Sequence, residues 1–176
     1  MEKIAGNTQT KSCGVIPVII TALLCFPTLI WAGQFKVVRV YDGDTLQAIG
    51  HDIEIMARLV GIDAPEKSTG QQLDQSYSRQ ATEYLSSLVL GKIVEIKGYG
   101  LDSFNQILGV VQVNGKNVNL EIVKKGYAEV YKDKLPETFN VNPYEKAEKE
   151  AKKTGLGIWS LGDKYVSPAE WRKMHR

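Results

Sequence analysis

Apolar and polar residues alternate through FKVVRV and again through TLQAI, on either side of a Tyr-Asp-Gly-Asp run. A period of two turns one face of a strand toward a core. Asp-Gly favours the tight turn between two such strands, because both residues tolerate positive φ. The segment therefore predicts strands at about 35–41 and 44–49 joined as a hairpin. IEIMARLVGI predicts a third strand over 53–62, with Ile53, Ile55, Ala57 and Leu59 on one face and Met56, Arg58 and Val60 on the other. An arginine on a face otherwise lined by Met and Val stands out.

The period then changes. Leu73, Tyr77, Ala81, Tyr84, Leu85 and Leu88 follow helical spacing, and Gly91 supplies a stop. KIVEIKGY predicts a fourth strand and 106–113 a fifth, turned by Asn114-Gly115. A short helix over 118–125 ends at Gly126, YAEVY reads as a short strand and LPETFNVNP as loop. Residues 143–153 predict a charged helix closed by Gly155, with Glu145–Lys149 and Glu148–Lys152 in i, i+4 register; acids at every turn make its lysines a solvated face. Five short strands with a helix after the third predict an α+β fold, a small closed five-stranded barrel of the OB type with flanking helices. A mixed open sheet is the rival arrangement.

The N-terminal segment changes the organisation. Lys3 and Lys11 precede an apolar run from Val15 to Ala32, the layout of a secretory signal ending near Ala32. The run also has the length of a membrane anchor, so residues 15–32 are read as a cleaved signal or a tether. Either way the domain is expected to be exported. The chain then divides into 1–32 (signal or anchor), 33–160 (barrel domain) and 161–176 (a basic C-terminal extension). A monomer is expected.

Composition removes several chemistries. Both cysteines, Cys13 and Cys25, lie in the N-terminal run, so the domain has neither disulfide nor thiol chemistry. The two histidines, His51 and His175, are far apart, which disfavours a zinc site or a Ser-His-Asp triad. There is no Gly-rich phosphate loop. A net charge of +2 announces no broad nucleic-acid surface, so any such site must be local.

The acids carry more. Asp44 closes the DGD turn, and Asp63 and Glu66 bracket DAPE just after the strand bearing Arg58. Singly, each is a turn, cap or surface residue. Together, a hairpin turn beside a strand end brings Asp44 and Asp63 near each other. Two carboxylates with a main-chain carbonyl and waters form a hard oxygen site suited to Ca²⁺. Arg58 offers a planar fork to phosphate oxygens, and Glu66 could activate a water. These are parts for phosphodiester hydrolysis, short of a second cation for the transition state.

VYDGDT, ARLVGIDAPE and GLGIW, with 14 residues from Asp44 to Arg58, 5 more to Asp63 and 3 more to Glu66, resemble the staphylococcal nuclease-like (thermonuclease) family over about Phe35 to Trp159. SPAEWRK is similar to the tails of bacterial members. The resemblance implies an OB-type barrel with three helices, Ca²⁺, and endonucleolytic cleavage of DNA and RNA, here expected to be single-stranded. It implies Asp44 and Asp63 as metal ligands with the main-chain carbonyl of Ala64, Arg58 on the scissile phosphate, Glu66 as general base, and Tyr131 as a nucleotide contact.

One stretch departs from the family. Its pattern after the fourth strand is Asp, any residue, Tyr, Gly, Arg; this chain has Asp102, Ser103, Phe104, Asn105, Gln106. The second arginine has become Gln106, which carries no charge, while Asn105 still tolerates a left-handed turn. No arginine lies nearby in the sequence, and Lys97 is the near cation. A slow Ca²⁺-dependent nuclease and an OB-fold module that only binds nucleic acid or protein therefore compete as readings.

Overall fold

The alternating segments close on one another into a ring. A computed structural model describes residues 33–68 and 73–175; the signal or anchor expected at 1–32 lies outside them. Strands β1 (Gly33–Val40), β2 (Thr45–Gly50) and β3 (Ile53–Leu59) form an antiparallel meander. After β4 (Ile62–Asp63) and helix α1 (Ser78–Val89), β5 (Ile93–Leu101) pairs antiparallel with β1. Next, β6 (Ile107–Val113) pairs antiparallel with β5 and parallel with β3, through Ala57–Ile107 to Leu59–Gly109. That last pairing closes a five-stranded mixed barrel, as the five-strand pattern predicts, and excludes the open sheet. A short β7 (Lys116–Asn117) leads into α2 (Val118–Lys124). β8 (Glu129–Val130) pairs with β4 in a separate two-stranded sheet. Helix α3 (Asn142–Lys153), a 3-10 segment (Gly157–Lys164) and α4 (Pro168–Met174) follow.

The core sits inside the ring and under two helices. Val37, Leu46, Ala48, Ala57, Leu59, Val94 and Val111 point inward, capped by Leu85 and Val89 of α1 and by Ile122 and Val123 of α2. Fully buried Asn119 ties the ring's seam: its amide donates to the carbonyls of Val60 (3.0 Å) and Gly109 (2.9 Å), and its oxygen accepts from Val111 N–H.

The boundaries shift in two places for physical reasons. The strand expected over 53–62 breaks at Gly61, whose φ of 84° needs glycine and where a Cβ would run into the Phe139 ring. The helix expected from Leu73 starts at Ser78, after Tyr77 in a left-handed conformation (φ 71°); Leu73 is left exposed and the Gln75 N–H is spent on the Glu66 carbonyl. In the DGD turn, Gly43 has no positive φ. A Cβ there would strike the methyls of Ala64 and Ala81, so glycine serves close approach.

Among the described residues no helix is long and apolar enough to cross a membrane. Residues 161–176, expected as an extension, carry the end of the 3-10 segment and α4. The 3-10 segment is bonded to the domain through Ile158 N–H to the Gly126 carbonyl (2.8 Å). α4 is opened by Ser167 and Glu170 in a reciprocal capping box, with Pro168 in its first turn.

Candidate active site

The hairpin turn, the end of β3 and the strand β4 meet at one rim of the barrel. Thr45 pairs with Arg58 across β2 and β3, which sets the arginine beside the turn residue Asp44. Arg58 Nη2 lies 3.3 Å from Asp44 Oδ2 and 3.1 Å from Asp63 Oδ1. Ala64 N–H donates to Asp44 Oδ2 (3.1 Å), so the turn and the DAPE segment are in direct contact. The structure thus brings Asp44, Arg58, Asp63 and Ala64 together, and both carboxylates are buried.

Glu66 is fixed from its backbone. Its N–H donates to Gln75 Oε1 (2.9 Å) and its carbonyl accepts from Gln75 N–H (3.0 Å). The same buried Gln75 donates through Nε2 to the Val166 carbonyl (2.8 Å), just before α4. One glutamine therefore anchors both the loop bearing Glu66 and the chain leading into the last helix.

That helix delivers a residue the sequence reading did not single out. Arg172 forms a bidentate pair with Asp63, Nη1 to Oδ1 at 2.9 Å and Nη2 to Oδ2 at 2.8 Å, and Nη1 also bonds Glu66 Oε1. The only signal for it was SPAEWRK, a tail motif without an assigned role. Tyr165, before the helix, donates to buried Glu129 (2.6 Å), the residue paired with Asp63 between β4 and β8.

Charge and burial oppose each other here. Asp44 beside Arg58 holds the guanidinium above its ordinary range. Hydrogen bonds to Asp63 raise Arg172 likewise. Burial pushes the Asp63 carboxyl up, against the pull of Arg172. Asp42 is raised to about 7 by burial and by the neighbouring Asp44 charge, and its Oδ1 accepts the Asp44 N–H (2.9 Å). Carboxylates thus outnumber what the interior solvates easily, which suits a site that receives positive charge.

Among the described residues no three or more His, Cys, Asp or Glu side chains are arranged to hold a metal ion. A cation here would draw on the two carboxylates of Asp44 and Asp63, a carbonyl and water. All are hard oxygen donors, and that chemistry fits Ca²⁺.

A groove of about 390 Å³ opens beside Arg58 and Arg172, walled by Tyr131, Lys134 and the turn residues Asp102 to Phe104. Phe104 is 78% exposed. Tyr131 sits at the groove because its N–H bonds the Gly61 carbonyl (3.1 Å). Gln106 stands one residue before β6, half-buried, with its N–H on Asp102 Oδ1 (2.9 Å) and its carbonyl accepting from Asp102 N–H. Asn105 takes the left-handed conformation its residue type allows (φ 63°). Lys97 places its ammonium over the Tyr99 ring, 5.2 Å from the centroid.

The family model described as "Staphylococcal nuclease homologue" matches residues 56–161. A protein of Haemophilus influenzae named "Uncharacterized endonuclease" is 32% identical over 166 residues, covering 90% of this chain and 86% of its own. Another of that name from Escherichia coli is 36% identical over 159 residues, covering 89% and 95%. "Probable endonuclease LCL3" of Candida albicans is 36% identical over 130 residues, covering 70% of this chain; the chain spans 55% of that relative's length.

Proposed function

The chain belongs to the staphylococcal nuclease family, and from that membership we propose that it is a Ca²⁺-dependent nuclease hydrolysing phosphodiester bonds of DNA or RNA, preferentially single-stranded. The observation that carries the reading is the junction of Asp44, Arg58 and Asp63, joined to Glu66 through Arg172, beside a groove that both arginines line. A surface that merely bound nucleic acid would use the two buried carboxylates to orient its arginines but would leave Glu66 without a task.

Each residue has a distinct task. Arg58 holds the phosphate by its planar fork while Asp44 and Asp63 keep that fork oriented. Glu66 takes the proton of the attacking water as the water oxygen bonds phosphorus. The phosphorus–oxygen bond to one sugar then breaks, and the departing oxygen is protonated by solvent. Asp44, Asp63 and the Ala64 carbonyl would hold Ca²⁺, which when bound adds positive charge beside the phosphate oxygens and orders a water. Tyr131 and exposed Phe104 offer ring faces to a nucleotide base along the groove. Gln106 brings no charge, so a site with Arg58 as its only phosphate-binding cation would be slow; one preorganised donor is worth about 10²–10³ in rate. The N-terminal run from Val15 to Ala32 supports export, by a cleaved signal or with a membrane tether.

The test is cleavage of single-stranded DNA and RNA with Ca²⁺, with excess chelator, and by Asp44→Ala and Glu66→Ala proteins. Ca²⁺-dependent cleavage lost in both variants is expected. Equal residual rates in wild type and variants at high protein concentration would sink the hydrolase reading, and saturable binding without cleavage would favour a binding module. The mass of the exported protein reads signal cleavage.

A further inference from the structure

We infer that Arg172, delivered by the last helix, is the second phosphate-binding cation of this site, a role that rests on the nuclease reading above and for which Gln106 has no charge. Three observations converge on it. Arg172 and Arg58 both bond Asp63 Oδ1, at 2.9 and 3.1 Å, so their nitrogens can be no farther apart than those two bonds laid end to end. Both arginines line the same groove, with Tyr131 and Lys134. Arg172 also reaches the proposed base Glu66, which places it where charge builds up during attack.

Two forks on one carboxylate oxygen can close on one phosphate, whose oxygens present similar geometry and charge. The Arg172 side chain is 31% exposed while that of Asp63 is 3% exposed, and Arg172 lines the groove, so the pair is open to solvent on the arginine's side. The helix is held for this purpose at several points. Gln75 bonds Val166, Tyr165 bonds Glu129, and the Ser167–Glu170 capping box fixes the first turn. Arg172 lies two residues beyond that box. In the absence of a divalent cation it neutralises Asp63 and Glu66; with one bound on the carboxylates, its fork is released to the phosphate.

The experiment compares wild type, Arg172→Ala, Arg172→Lys, the double variant Arg172→Ala/Gln106→Arg, and Lys173→Ala as a control on the same helix. Three quantities are read: initial rate on single-stranded DNA with Ca²⁺, affinity for a nuclease-resistant phosphorothioate oligonucleotide, and Ca²⁺ affinity by calorimetry without nucleic acid. Thermal melts check that each protein folds.

For Arg172→Ala we expect kcat lower by about 100-fold or more, weaker oligonucleotide binding with a matching rise in KM, and tighter Ca²⁺ binding because a competing cation has gone. Arg172→Lys, which keeps charge and loses the fork, should fall between, and should still report if the alanine protein melts early. Gln106→Arg should restore about tenfold or more to Arg172→Ala, and Lys173→Ala should match wild type. An Arg172→Ala rate equal to or above wild type would overturn the inference and mark the arginine as a plug, leaving the nuclease reading intact. Weaker Ca²⁺ binding with unchanged kcat would overturn it in favour of a structural brace. If wild type binds the oligonucleotide yet cleaves nothing, the nuclease reading falls; Arg172 then stands as a phosphate contact on its loss of oligonucleotide affinity, and falls if affinity is unchanged.

Discussion

Arg58 divides one guanidinium nitrogen between Asp44 and Asp63, so removing it leaves two buried carboxylates short of a partner. A buried acid stripped of its cation typically costs about 3–5 kcal/mol. Arg58 is a quarter exposed and Arg172 remains on Asp63, so a loss nearer about 2 kcal/mol is expected for Arg58→Ala without metal. Saturating Ca²⁺ should return much of that loss by supplying charge to the same oxygens. Urea melts with and without Ca²⁺ read it, and an equal loss in both conditions would argue against a cation at these carboxylates. Asp44, Arg58, Asp63 and Glu66 were legible in the sequence because a hairpin and one strand end carry all four within 23 positions of chain. Arg172 was not: it is 109 positions from Asp63, and no local periodicity encodes a contact of that range.

At the scale of elements, α4 depends on its first turn. Ser167 accepts from Glu170 N–H (3.2 Å) while Glu170 accepts from the Ser167 hydroxyl (2.9 Å), and these bonds hold the Glu170 carboxyl below its ordinary range. A depressed carboxyl stabilises the fold above its unfolded pKa of 4.5, and that contribution is lost as pH falls through the lower folded value. Docking of α4 should therefore loosen in acid, below about pH 4.5, and Ser167→Ala should loosen it already at neutral pH. Half-buried Trp171, which stacks on His175 at 4.0 Å, reports this by fluorescence. An emission spectrum unchanged by Ser167→Ala from neutral to acid pH would show that Gln75, Tyr165 and the Arg172–Asp63 pair suffice to hold the helix. The capping signature S-x-x-E was present in the sequence, yet short helices at a chain end give too few periodic positions to announce themselves. The late start of α1 escaped for a different reason: Leu73 fits the apolar period, and Gln75 is drawn to Glu66 by a contact the period does not describe.

The closed ring was legible as five alternating segments, but the partners at its seam were not: β3 and β6 pair over Ala57–Ile107 to Leu59–Gly109, and buried Asn119 bridges Val60, Gly109 and Val111 beside them. Asn119→Ala strips partners from groups sealed off from water, at about 1–3 kcal/mol each, so a loss of about 3 kcal/mol or more by urea melt is expected. A change below about 1 kcal/mol would place the closure in the apolar core alone.

Charge at the same whole-molecule scale sets how nucleic acid is held. A net charge of +2 on 176 residues offers no broad basic face, and the cations lining the groove are Arg58, Lys134 and Arg172. Each phosphate neutralised on a single strand contributes about 0.7 to the salt dependence. Three cations therefore predict that the logarithm of oligonucleotide affinity falls against that of salt with a slope of about −2. The two arginines are already shared with carboxylates, so a shallower slope is expected without Ca²⁺ than with it. Measuring affinity across a salt series in both conditions checks both statements. A slope steeper than about −4 would mean that the strand leaves this groove for another surface, with α3 and its lysines the first place to look.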